Sequence, residues 1–351
     1  MNRAPLPGLA TTAIGSLPYT QLELAIQQAF LLDIPYLPQL PLRDPAEYMV
    51  PQALDGMPGL RFDKDGNAAV DVAEWRKGWL DARLEKAIEK GDGLDAFEPR
   101  PAACAAWKPF VWEIEQRKSA FAKAHLAGPL TLRWALRSTD GKFLAELPDR
   151  AELEAQILKI VFAKSLAMVR RLREAGATPV LFLDEPGLVT FDKNNGQHLV
   201  ALQELRVLIL TLQREGAYVG VHCCGNTDWA SVLGLPWDLV SLDARLSLAK
   251  LLEASGPFAK FVASGGSLAL GLVPTNVDPA ANEGRPADLG AVVNDLVASV
   301  PARLELAAAG LLEKCLHTPA CGLAMRSVID AEEILARLRA AQRALRSPGV
   351  R

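Results

Sequence analysis

No stretch of this 351-residue chain reaches the roughly 18 uncharged apolar residues that a membrane span requires. The opening residues, MNRAPLPGLATTAIGSLP, have no charged start followed by a long apolar run, so no secretory signal is expected. Charge of neither sign dominates: the formal net charge is −3, the pI is near 5.9, and no acidic or basic block occurs. That balance argues against nucleic acid or an anionic membrane as partner, because both select a basic face. Cysteine is scarce and odd in number, with five residues at 104, 223, 224, 315 and 321. Such spacing is not a secreted disulfide framework, and no CxxC pair marks a closed structural metal site. A cytoplasmic protein with reduced thiols is the expectation, and reduced thiols are free to bind metal.

Half of the residues are hydrophobic, an ordinary globular balance. The length suits one large barrel or two ordinary domains. Short apolar runs alternate with helical patterns, which predicts βα units around a parallel sheet. Eight strand candidates fall near 9–15, 34–40, 121–127, 179–184, 218–223, 238–243, 267–273 and 313–318. Helical spacing covers 150–175, which stops at Gly176, and also 197–214, 289–309 and 330–346. The expected architecture is a (β/α)8 TIM barrel forming one catalytic domain over 1–351. Residues 42–120 exceed what a minimal barrel needs and read as a helical insertion after the second strand. An open nucleotide-binding sheet fits less well, since no GxGxxG follows the first strand.

A barrel of this kind works at the C-terminal ends of its strands. Those ends carry Ile14-Gly15-Ser16, Asp184-Glu185, His222-Cys223-Cys224, Asp243 and Cys321. Residues two apart on a strand point to the same side, so His222 and Cys224 face one point while Cys223 faces away. Cys321 joins them from the last strand. One imidazole and two thiolates leave one position of a tetrahedral zinc open, with Asp243 or water to fill it at rest. Cys104, Cys223 and Cys315 read as core residues, and His317 as a packing or supporting histidine. His125 and His198 carry no pattern.

The segments AIGSLP, FLDEP, HCCGN and TPACGL, in this order, resemble the C-terminal catalytic barrel of cobalamin-independent methionine synthase. They are closer still to its short stand-alone relatives, within the superfamily that also holds uroporphyrinogen decarboxylase. The resemblance spans nearly the whole chain. It implies a zinc site of His222, Cys224, Cys321 and, at the family's glutamate position, Asp243. It also implies a thiol gripped by the backbone of Ile14, Gly15 and Ser16 and by Asp184, beside Glu185. The implied activity is methyl transfer to a homocysteine-like thiol, as in methionine biosynthesis, with the incoming thiol displacing the carboxylate from zinc.

This chain departs from the family at three positions. Asp243 is one carbon shorter than glutamate. Gln39 stands where the family has an acid for the substrate ammonium. No histidine follows the seventh strand candidate, which ends at Val273-Pro274-Thr275. Folate leaves well only when its nitrogen is protonated, and that histidine is the family's acid. The expected donor is therefore a methyl-corrinoid protein or another activated methyl compound. The competing readings are a uroporphyrinogen decarboxylase-like lyase and a non-catalytic zinc- or corrinoid-handling module. The lyase has no need of the His222, Cys224 and Cys321 set.

Overall fold

Six of the apolar runs build one parallel sheet in the computed structural model, which describes residues 3–78, 80–275 and 289–347. Its strands are β1 (Phe121–Ala127), β2 (Thr178–Asp184), β3 (Tyr218–His222), β4 (Leu239–Asp243), β5 (Ser267–Val273) and β6 (Leu316–Pro319). Each pairs in parallel with the next in sequence. That order follows from βα units, because a parallel return needs a crossover long enough to hold a helix. The crossovers carry the helices Arg150–Glu174, Gly196–Arg214 and Leu289–Ala307. The helix Val328–Arg346 follows β6. Asn195 and Ser327 cap two of these helices through their side-chain oxygens. Strand residues are buried on both faces, which explains why they read as nearly continuous apolar runs.

The first two strand candidates are a correction. Residues 9–15 and 34–40 form no ladder, and only isolated parallel bridges tie them to the sheet. Thr11 bridges His317 of β6, Tyr36 bridges Lys123 of β1, and Ser16 bridges Gln39. Local chemistry interrupts them. Pro35 and Pro38 have no N–H to donate, and Leu9 (φ 55°) and Gly15 (φ 149°) leave the extended region. The regular sheet is thus a curled, six-stranded, all-parallel half-barrel of TIM-like α/β type, not the expected closed eight-stranded barrel. Asp33 holds the first segment in place. Its carboxylate accepts from the Thr11 amide (2.8 Å) and hydroxyl (3.0 Å), and from Gln342 on the last helix.

The 42–120 region is not purely helical. A hairpin of Leu60–Phe62 and Ala68–Val70 turns at Asp63–Asn67, and Arg137–Ser138 adds a parallel third strand. The stretch around EWRKGWLDARLEKAIEKGDG forms two helices, Val72–Lys77 and Asp81–Lys90, interrupted at Gly78. The second ends on a left-handed glycine, Gly91 (φ 72°). Trp75 anchors the region by donating from its buried indole to Gln156 at 2.6 Å. Trp79 lies outside the described residues. Among the described residues, no helix is long and apolar enough to cross a membrane.

Candidate metal centre

β3 ends at His222, and the chain runs on through Cys223 and Cys224. Cys223 is fully buried in the core, with its thiol on the Gly225 carbonyl. Cys321 arrives just after β6. One ligand atom each from His222, Cys224 and Cys321 lies within 4.8 Å of the others. Among the described residues, this is the group of histidine, cysteine and acidic side chains gathered closely enough to share an ion.

The donor set fits zinc. Nδ1 of His222 meets the Ser241 hydroxyl at 3.0 Å, which fixes the ring, while its buried Nε2 has no hydrogen-bond partner. A buried ring nitrogen without a partner calls for explanation, and an oriented imidazole beside two thiols is a set that could hold a metal ion. The neighbouring Cys321 thiol first, and then the nearby His222 ring, pull the Cys224 thiol well down. The Cys224 thiol, followed by burial, pushes Cys321 up. The pair gives up one proton readily and a second with difficulty unless a cation neutralises the site.

Asp243 stands at the end of β4 but outside this group. Its Oδ1 accepts from the Arg245 and Leu246 amides at 2.8 and 3.0 Å, capping the turn that follows. Asp184 is buried at the end of β2, paired in register with His222, and its Oδ1 has no partner. Burial raises it to about 6 against the opposing fields of Lys123 and His222. Ile14, Gly15 and Ser16 lie alongside. The Ser16 carbonyl accepts from Leu323 at 2.9 Å, and a Cβ on Gly322 would sit 2.1 Å from Ser16 Oγ. That close approach seats the cysteine-glycine pair against the first segment. Gln39 is engaged from the insertion: it donates to Gln52, which donates to the Ala103 carbonyl, each at 2.9 Å.

Glu185 braces the frame. Its carboxylate is fully buried and accepts from the Leu130 amide (3.1 Å) and from the Thr131 amide (2.6 Å) and hydroxyl (2.7 Å). Burial raises it to about 7, with the Thr131 and Leu130 donors pulling the other way. Glu185→Gln turns one acceptor oxygen into a donor facing a donor. We expect a loss of about 2 kcal/mol in urea denaturation, the usual cost of stranding a buried polar group.

Two interior residues escaped the sequence reading. Lys123 and His125 sit on β1, buried, two apart and therefore on one side. The available signal was a charged residue and a histidine alternating within the otherwise small and apolar FAKAHLA. His198 instead packs against Trp134, with the rings tilted by 45°. His317 is buried with both ring nitrogens unpartnered, and Cys104 and Cys315 are core residues. Two larger surface clefts lie elsewhere, one lined by Trp75, Arg76 and Gln156, another by Arg206, Trp237 and Lys260.

No protein-family model matches this sequence, and no curated protein matches it. Among solved structures, the chain is similar to a methyltransferase from Methanosarcina mazei, with a TM-score of 0.52 and 16% identity over 99% of this chain and 95% of that one. At that identity the likeness is one of fold, and it runs the length of both chains.

Proposed function

We propose that this protein is a zinc-dependent methyltransferase that activates a small thiol and takes the methyl group from a methyl-corrinoid. The observation that carries the reading is the grouping of His222, Cys224 and Cys321, one ligand atom each within 4.8 Å of the others, with Nε2 of the histidine buried and unpartnered. When bound there, zinc keeps a thiol ionised near neutral pH and so makes it a competent nucleophile. The protein's own groups do the rest. Ser241 orients His222, Ser16 seats the segment carrying Cys321, and buried Asp184 presents a free carboxyl oxygen beside His222. In the transfer the thiolate sulfur bonds the methyl carbon, and the donor departs with the electron pair of the broken bond.

The choice of donor rests on what surrounds the site. No histidine lies in the sequence between β5 and the next helix to protonate a departing folate nitrogen. A fold shared with a solved methyltransferase supports the reaction class. Exposed Leu42, Val189, Leu246, Met325 and Ile329 each follow the C-terminal end of a strand or bridged segment, on the rim where such folds work.

The test is methylation of homocysteine and shorter thiols, read by mass spectrometry. Methylcobalamin, a methylated corrinoid protein and methyltetrahydrofolate are offered separately. Methylated thiol from the corrinoid donors alone is expected. Turnover with methyltetrahydrofolate and no partner protein would remove the donor assignment. No methylation by zinc-replete protein with any donor would leave a non-catalytic module.

A further inference from the structure

The half-barrel interior has an apolar floor and a polar upper storey. Ala10, Ile34, Val180, Phe182, Leu239, Ala269 and Leu316 form the floor, with Phe121 and Tyr218 against it. Two residues further along the same segments, on the same side, stand Thr12, Lys123, Asp184 and Thr318. His125 and His222 rise above Lys123 and Tyr218 in the same alternation. Besides His222 Nε2, already assigned to the metal, Thr12 Oγ1, both nitrogens of His125, Asp184 Oδ1 and Thr318 Oγ1 are buried without a hydrogen-bond partner. Native interiors rarely leave so many polar atoms unanswered in one place, so the cluster points to a bound polar molecule.

Lys123 supplies the charge. Its side chain is 2% exposed, its ammonium donates to the Ile14 carbonyl, and it lies 5.1 Å over the Phe182 ring. Among the described residues it makes no ion pair within the 4.0 Å limit that defines one. A buried ammonium is costly; Asp184 is the carboxylate whose field reaches it, and beyond the Ile14 carbonyl two of its three donors remain to be used. The metal group is a short way off. Ile14 meets Lys123, and Ser16, two residues on, abuts Gly322 beside Cys321.

Resting on the thiol-activating role proposed above, we infer that Lys123 is a specificity-determining residue that receives the acidic tail of the acceptor thiol. The acceptor is then a compact thiol bearing an anion. Gln39 is neutral, and its NH2 already donates to Gln52, so that position offers no charge to an ammonium group.

The test is calorimetric binding to the protein as purified, which needs no turnover. The matched ligands are 3-mercaptopropanoate, 3-mercaptopropan-1-ol and 3-aminopropanethiol, against the parent and Lys123→Met. The parent should prefer the carboxylate over the alcohol by about 10-fold or more, the usual worth of a charge-assisted hydrogen bond. Lys123→Met should erase that gap and leave the alcohol's affinity within about 2-fold. Propanoate, which has no sulfur, should compete in the parent and not in the variant. Absence of a preference in the parent overturns the assignment whether or not the variant folds. So does a preference retained by the variant, or equal weakening of all three ligands, which marks a structural lysine. Carboxylate preference without methyl transfer removes the catalytic reading and keeps Lys123. Methyl transfer without carboxylate preference does the reverse.

Discussion

Protein purified without a metal-binding tag should carry about one zinc per chain, and a Cys224→Ser, Cys321→Ser double variant should carry essentially none. The expectation follows from the donor set. Two sulfurs and one imidazole nitrogen already lie within 4.8 Å of one another, so binding needs little rearrangement of the fold. Serine keeps the size of cysteine but not its acidity, and a neutral hydroxyl is a poor zinc ligand. Removing both thiols leaves His222 alone. By contrast, Asp243→Ala should keep most of the zinc. Oδ1 of Asp243 is held by the Arg245 and Leu246 amides, and its loss should appear first as a loosened turn after β4. Elemental analysis of the three proteins, prepared under reducing conditions, decides the matter. Metal retained by the double variant, or absent from freshly reduced parent, defeats the zinc assignment. Loss of metal in Asp243→Ala would place that carboxylate among the ligands despite its backbone contacts.

The site was more legible in the sequence than the sheet. His222 and Cys224 share a side because period-two alternation is a strong geometric rule, and Cys321 follows the last strand for the same topological reason. The strands of the half-barrel stood out because burial on both faces writes an unbroken apolar run. The segments 9–15 and 34–40 read equally well by that criterion. Apolarity, however, reports burial and not pairing, and Pro35, Pro38 and the unusual backbone of Leu9 and Gly15 break the ladder. Lys123 and His125 went unread for a related reason. A single sequence shows that they alternate, but only the neighbouring strands show that their side of β1 faces the interior.

Gly15→Ala should be among the most damaging single substitutions in the chain, lowering stability by about 3 kcal/mol or more in urea denaturation. Two costs coincide there. The backbone sits at φ 149°, where a side chain is strained, and the added Cβ would lie 1.9 Å from Cε1 of the His125 ring. The ring has little room to yield, since His125 is 3% exposed on β1. Gly56 separates the two costs: its φ is 93°, but nothing lies within 4 Å of its Cβ position. Gly56→Ala should therefore cost only the backbone share, about 1 kcal/mol. Combining Gly15→Ala with His125→Ala should recover the steric share and leave the backbone share, a non-additive result that a double-mutant cycle reads directly. The damage should also reach the metal. Gly15 lies between Ile14, which holds Lys123, and Ser16, which abuts Gly322 beside Cys321. Gly15→Ala should thus weaken zinc retention under a chelator, while Gly56→Ala should not. If Gly15→Ala proves no worse than Gly56→Ala on either measure, His125 swings aside freely, and the interior beneath the cysteines is looser than its packing indicates.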